Sequence, residues 1–228
     1  SEETSMSFNI AIDGPAGAGK STIAKKIAKE LGFVYVDTGA MYRAMALYFL
    51  RSNISNEDEQ AISRASENVE ITIQYENGEQ QVFLNGENVS GEIRKEEVGN
   101  MASKTSGYGQ VRKKLVELQQ QLAKKADVVM DGRDIGTVVL PDAQVKVYLT
   151  ASVATRAKRR YDELSEKGQE CNLEKIEADI EQRDYQDMHR ENSPLRQAED
   201  ATLVDSSNMS IEEVVAAIKK LYEDVCNA

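Results

Sequence analysis

The chain is short of basic charge, thiols, histidine and long apolar runs. Among its 228 residues, 28 Lys and Arg stand against 39 Asp and Glu, a formal net charge of −11. Duplex nucleic acid asks for a cationic face, so nucleic acid is not expected as the main partner. Cys171 and Cys226 are too few for a disulfide framework or a zinc site, and they read as reduced thiols of a cytoplasmic protein. The one histidine, His189, reads as an exposed polar residue without a catalytic role. The longest apolar run, Ala44 to Leu50, has 7 residues, against the roughly 20 of a membrane helix, so no membrane partner is expected. No charged start followed by an apolar stretch suggests a secretory signal. Residues 1–5, SEETS, read as an added leader, with Met6 the natural start. What is present, 40% hydrophobic and 29% charged residues, suffices for one domain with an insertion or for two small domains.

Residues 8–13, FNIAID, form a short apolar run ending in Asp, followed by GPAGAGKST and a helical pattern of Ile23, Ala24, Ile27, Ala28 and Leu31 closed by Gly32. Strand, glycine loop, helix opens a parallel α/β sheet. The runs 33–36, 127–130, 145–149 and 202–204 have the same buried-strand character, which predicts five parallel strands. A helix is expected over about 40–50, two charged helices over about 153–167 and 173–191, and a last one capped by Ser210 and Glu213. Residues 69–75 and 81–84 instead alternate around Asn77-Gly78, an antiparallel hairpin signal, and Asn85-Gly86 offers a second turn. The expected organisation is a core of 6–59 and 106–228 with an insertion of 60–105.

Gly14-Pro15-Ala16-Gly17-Ala18-Gly19-Lys20-Ser21, with Thr22 beside it, matches G-x-x-x-x-G-K-[ST] in full, between a strand and a helix. Its glycines let successive backbone N–H groups turn around a phosphate, and the following helix adds its positive end. Lys20 supplies a point charge for the β/γ oxygens, and the Ser21 hydroxyl a ligand for Mg²⁺. Such a loop binds nucleotide without fixing a reaction. A GTPase switch would carry N-K-x-D, which does not occur; a nucleotide sensor without transfer is not excluded.

Asp37-Thr38-Gly39-Ala40-Met41-Tyr42-Arg43 follows the second strand, at the sheet edge where α/β proteins bind ligands. Arg43 there is either a bidentate phosphate ligand or a solvated surface arginine. Asp131-Gly132-Arg133-Asp134 ends the strand 127–130 and is either a site of two carboxylates and a guanidinium, with Asp131 near Mg²⁺ through water, or a tight turn with an internal ion pair. Arg156, Arg159 and Arg160, and Arg183, Asp187 and Arg190, have helical spacing that places each set on one face. They form arginine-bearing lid faces or salt-bridged solvent faces.

The D-[ST]-G-A-x-Y-R segment at 37–43, S-G-E-I-R at 90–94, D-G-R-D-I-G-T-V-V at 131–139 and the phosphate loop together resemble the bacterial cytidylate kinases, over essentially the whole chain from Met6. The resemblance implies a three-layer α/β/α P-loop NTPase fold with a five-stranded parallel sheet, a small antiparallel NMP-binding insertion and a short helical lid at about 156–190. It implies transfer of the ATP γ-phosphate to CMP or dCMP with Mg²⁺, and generally a monomer. Arg43, Arg133 and Arg190 would hold the CMP phosphate. Ser103, Arg112 and Asp134 would read cytosine, Thr38 would stand near the pyrimidine, and Arg183 and Asp187 would meet the ribose. Lys20 and Arg133, with the lid residues Arg156, Arg160 and Arg183, would form the catalytic charge-stabilising set. Thr38 departs mildly from the serine also used at that position, keeping the hydroxyl and adding a methyl. A P-loop kinase for another small acceptor, such as UMP, is the alternative.

Overall fold

A computed structural model gives the structure of the chain and describes residues 6–228; the leader read at 1–5 lies outside the described residues. The first elements are β1 (Asn9–Asp13), α1 (Lys20–Leu31), β2 (Val34–Asp37) and α2 (Thr38–Arg51). Then come α3 (Glu59–Glu67), β3 (Ile71–Glu76), β4 (Glu79–Leu84), β5 (Glu87–Asn88), a 3₁₀ turn at Glu92–Arg94, α4 (Glu96–Thr105) and α5 (Gly109–Lys125). The chain ends with β6 (Val128–Gly132), a π turn at Ile135–Val139, β7 (Val145–Thr150), α6 (Val153–Glu166), α7 (Leu173–His189), β8 (Thr202–Asp205) and α8 (Ile211–Cys226). Five strands form one sheet, as expected, and their order is β2-β6-β1-β7-β8, while β3-β4-β5 form a second sheet. Packing divides the chain into two compact units, residues up to Tyr35 with Ala126–Ala228, and Val36–Lys125. The 60–105 segment lies wholly within the second. Among the described residues no helix is long and apolar enough to cross a membrane.

In the first unit, β1 is the central strand because it is apolar on both faces: Ile10, Ala11 and Ile12 are all fully buried. It pairs in parallel with β6 on one side and β7 on the other, with Asp13 opposite Gly132 and Tyr148. From β1 the chain first runs out to β2 on one side of the sheet and later crosses from β6 past β1 to β7 on the other, and ligands bind at such a reversal, beyond the carboxyl ends of the strands. The buried stripe of α1, Ile23, Ala24, Ile27 and Ala28, packs in one core with the strands and with Val214, Val215 and Ile218 of α8. Phe8, Phe33 and Tyr222 close one end of it with ring centroids 5.0–5.9 Å apart. Gly32 ends α1 with φ 72, a left-handed conformation. The capping box on α8 is present in both directions, Glu213 N–H to Ser210 Oγ at 3.1 Å and Ser210 N–H to Glu213 Oε1 at 3.2 Å.

In the second unit, α2 starts at Thr38 because the Asp37 carboxylate accepts the Ala40 N–H at 3.1 Å and caps it. β3 and β4 pair antiparallel across Asn77 and Gly78, both left-handed at φ 53 and 79. This is the primed turn that the Asn-Gly pair predicts. Asn85 and Gly86 (φ 48 and 83) turn the chain again into β5. One helix boundary differs from expectation. α7 stops at His189, and Arg190 is already extended at φ −66, ψ 147. Arg190 therefore does not continue the helical face of Arg183 and Asp187, as its spacing had suggested. Ahead of it His189 is exposed and stacks on Tyr185, with centroids 4.0 Å apart.

Candidate active site

The phosphate loop leaves β1 under a tight steric limit. A Cβ on Gly14 would overlap the Leu149 carbonyl oxygen of β7, so only glycine lets the backbone pass there. Gly17 and Gly19 are left-handed at φ 78 and 83, and Gly19 hands the chain into α1. Ala18 lies buried between them, and Ser21 and Thr22 lie exposed on the first turn of α1. Lys20 turns inward and donates to Pro15 O at 2.9 Å. Burial of its ammonium, reinforced by the Arg133 charge, pushes its pKa down to about 8 against the pull of Asp131, Asp13 and Asp187. Two cations and three carboxylates of this unit thus interact electrostatically around the loop. A small polyanion needs a few converging donors, and the net charge of the chain does not decide whether they exist.

The end of β6 presents the D-G-R-D residues to the same edge. Asp131 is buried and accepts the Tyr35 hydroxyl at 3.1 Å. Arg133 Nε lies 2.6 Å from Asp187 Oδ2 of α7. Both atoms fall outside hydrogen-bond geometry, so the pair is an ion contact rather than an aligned bond. Asp134 is 3% exposed, and its carbonyl accepts the Val138 and Val139 N–H groups at 2.9 and 3.1 Å, folding the π turn onto it.

Asp13 belongs to this constellation, although sequence reasoning passed over it. Its carboxylate accepts the Ile135 N–H at 2.8 Å and the Gly136 N–H at 2.7 Å, tying the segment after D-G-R-D to the strand that feeds the phosphate loop. Gly136 allows the approach: a Cβ there would sit 3.2 Å from the Lys146 side chain and 3.3 Å from Asp13 Oδ2. The signal available in the sequence was an Asp ending an apolar run just before the glycine loop. Desolvation, only partly offset by the two backbone bonds, raises the Asp13 pKa from 3.8 to about 6. The folded state then binds more protons than the unfolded state between these values. The stability this group contributes is full below about pH 3.8 and is lost as pH rises through about 6. Denaturant titrations from pH 4 to 7 are expected to show wild type losing about 2 kcal/mol relative to Asp13→Asn. Parallel pH profiles for the two proteins would refute this.

The arginines between 156 and 190 go separate ways. Arg156 is 4% exposed and donates from Nε to Ala151 O at 2.8 Å and from Nη1 to Ala16 O of the phosphate loop at 3.1 Å. It also holds Asp184 of α7 bidentately, at 3.0 and 2.6 Å. Arg159 donates to Ser206 O at 2.7 Å, after β8. Arg160 is exposed and reaches only along its own helix, to Glu163 at 3.2 Å. Arg183 is exposed on α7. Arg190 donates from Nε to Ser193 O at 2.8 Å.

The second unit carries Thr38, Arg43, Ser103 and Arg112. Thr38 is buried at the first turn of α2. Arg43, one turn further, is half-buried and donates from Nη1 to Ile93 O at 3.0 Å. This gives the S-G-E-I-R stretch a local purpose, since its carbonyl aims the guanidinium. Gly99 of α4 makes room for Arg43, because a Cβ there would lie 3.2 Å from Nη2. Arg112 is buried, donates to Ser106 O at 2.8 Å and stacks over the Tyr42 ring at 4.9 Å. Ser103 is exposed on α4. The chemistry on offer is fixed positive charge around a glycine loop, which suits a polyphosphate.

The family model for cytidylate kinase matches residues 10–224. A cytidylate kinase of Lactobacillus johnsonii is 52% identical over 216 residues, covering 95% of this chain and 94% of that protein. One of Caldicellulosiruptor saccharolyticus is 52% identical over 218 residues, covering 96% of each. The crystal structure of a protein from Eubacterium ventriosum superposes with a TM-score of 0.54 at 13% identity, covering 95% of this chain and 98% of the other, a likeness of fold alone. With the phosphate loop and the D-G-R-D strand end intact and half of all residues shared along nearly the full length, the chain belongs to the cytidylate kinase family.

Proposed function

We propose that this chain transfers the γ-phosphate of ATP to CMP or dCMP, giving ADP and CDP or dCDP. The observation that carries the reading is the match to cytidylate kinases over residues 10–224 with a complete phosphate loop. Gly14 through Thr22 hold the ATP phosphates. Phosphoryl transfer passes through a loose transition state in which position and charge neutralisation set the rate, and this is the work of Lys20, Arg133 and the lid residues Arg156, Arg160 and Arg183. Four of the five N–H groups of Arg156 are engaged, which leaves one on Nη2 for a phosphate oxygen. Arg43, Arg133 and Arg190 hold the CMP phosphate, and Arg183 and Asp187 meet the ribose.

The Ser21 hydroxyl and the buried Asp131 carboxylate are hard oxygen donors. So sparse a set suits Mg²⁺, which keeps several waters and takes its remaining ligands from substrate phosphates, with Asp131 reached through water. When bound, the ion neutralises charge on the triphosphate. We infer a cytoplasmic enzyme, and the excess of acidic over basic residues supports small substrates rather than nucleic acid as its partners. We expect a monomer.

Cytosine specificity falls to Asp134, Arg112 and Ser103, with Thr38 beside the ring. Cytosine offers the N4 donor next to the N3 and O2 acceptors, whereas uracil presents O4 and N3–H. The buried Asp134 carboxylate accepts from N4 but would face uracil O4 unpaired, a costly mismatch. Preference for CMP over UMP is expected to be about ten- to a hundredfold. Asp134→Asn is expected to lower kcat/KM for CMP more than for UMP and to narrow that ratio. The test is ADP release with CMP, dCMP, UMP, AMP and GMP as acceptors. Equal wild-type rates on UMP and CMP would sink the cytosine assignment, and a uniform loss in Asp134→Asn would place that residue in structural or metal chemistry.

A further inference from the structure

The antiparallel sheet of the second unit has one side chain that reaches the end of β2. Gln80, early in β4, is half-buried, while its neighbours from Gln74 to Glu79 are exposed around the hairpin turn. Its Oε1 accepts the Asp37 N–H at 2.9 Å, and its Nε2 donates to Asp37 O at 3.1 Å. A side-chain amide has one donor end and one acceptor end, and a single orientation satisfies both bonds. Gln80 thus treats Asp37 as a ladder partner would, although no strand of the small sheet pairs with β2. Asp37 is held a second time by its own carboxylate, which caps α2 through the Ala40 N–H at 3.1 Å. Gly39 packs against that carboxylate, with a Cβ position 3.3 Å from Oδ1. Thr38 is the next residue, and Arg43 follows on the same helix, aimed by Ile93 O at 3.0 Å.

We propose that Gln80 is a positioning residue for the nucleoside monophosphate: through the Asp37 main chain it sets the start of α2 and, with it, Thr38 and Arg43. This rests on the reading in which those two residues meet CMP. The hairpin is then a brace for the acceptor site, and Gln80 acts through Asp37 rather than by touching substrate. Two net hydrogen bonds to a half-buried peptide unit are worth a factor of about five to thirty when both are lost.

The test compares wild type with Gln80→Met, which keeps the length of the side chain and removes both bonds. Gln80→Glu is the second variant; it keeps an acceptor but sets an anion against the Asp37 carbonyl. KM for CMP is expected to rise about five- to thirtyfold in Gln80→Met and at least as much in Gln80→Glu. KM for ATP and kcat are expected to stay within about twofold, since the phosphate loop belongs to the other unit. Thermal unfolding is followed in parallel. A lowered Tm with both KM values unchanged makes Gln80 merely structural and overturns the proposal. So does a rise in both KM values together. Wild type that turns over CMP while Gln80→Met keeps its KM for CMP refutes this inference alone. Wild type without CMP-dependent turnover refutes the functional reading and this inference with it.

Discussion

Lys20→Met is expected to lower kcat for CMP phosphorylation by about a thousandfold while leaving the protein folded. The ammonium is drawn onto Pro15 O at 2.9 Å, inside the glycine loop. Asp13, Asp131 and Asp187 all act on it electrostatically, and Arg133 adds a second cation beside it. Without Lys20, a triphosphate would meet three carboxylates with no ammonium at the loop to offset them. The fold does not depend on this charge. Burial lowers its pKa from 10.5 to about 8, so the folded state binds fewer protons than the unfolded state between those values. Holding the ammonium charged below pH 8 therefore costs stability, and that cost is relieved as pH rises from about 8 toward 10.5. Lys20→Met is accordingly expected to melt no lower than wild type at pH 7. A variant that melts several degrees lower would assign its inactivity to misfolding instead.

The same shift predicts a pH effect on ATP affinity. The triphosphate favours the protonated lysine, so binding above pH 8 takes up a proton, and affinity falls as pH climbs past that value. Calorimetry in buffers of different ionisation enthalpy reads the uptake directly. No uptake at pH 9 would mean that Lys20 does not pair with the phosphates.

Arg156→Ala is expected to cost about 3–5 kcal/mol of stability, because it strands a carboxylate. Asp184 has 18% of its side chain exposed against 4% for Arg156, and two bonds of 3.0 and 2.6 Å join them. The same guanidinium ties α6 to Ala16 O of the phosphate loop and to Ala151 O. Melting is expected to drop by about 10 °C for a chain of this size. Arg156→Ala combined with Asp184→Asn should recover part of the loss, because the neutral amide no longer leaves a charge unpaired. Additive losses in that cycle would show that the pair is not coupled. Activity separates two roles for the residue. A fall in kcat at temperatures where the variant is fully folded indicates contact with the transferring phosphate; a fall that follows only the unfolded fraction indicates a tie between loop and lid.

Local features of the sequence carried most of the architecture. The strands β1, β6 and β7 were legible because each is a short apolar run between polar residues, and a strand buried on both faces needs nothing more; the run at β8 was read the same way, although Val204 is its one buried residue. The hairpin was legible because Asn77-Gly78 suits left-handed backbone at both positions. The helices α3, α4 and α5 were not read. Their buried positions are few among many charged ones: α5 buries only Val111, Arg112, Leu115, Gln119 and Ala123 of 17 residues. The end of α7 was overrun because its charged pattern continues through Arg190, whereas the backbone turns extended there.

The site divides along the same line. The phosphate loop is written into consecutive residues, since glycines and a lysine at fixed spacing shape the backbone around themselves. The partners of its charged side chains are not. Asp13 meets Ile135 across 122 positions, Arg156 meets Ala16 across 140, and Gln80 meets Asp37 across 43. By itself, then, the sequence determined a parallel α/β core, its nucleotide loop and a hairpin-bearing insertion, because these depend on backbone preference and burial period over a few residues. The tertiary structure alone decided which arginines are spent on backbone and carboxylates, which aspartate pins the D-G-R-D turn, and what the hairpin touches. Those choices follow from sheet order and register, which bring distant side chains within bonding distance, and no local period encodes them.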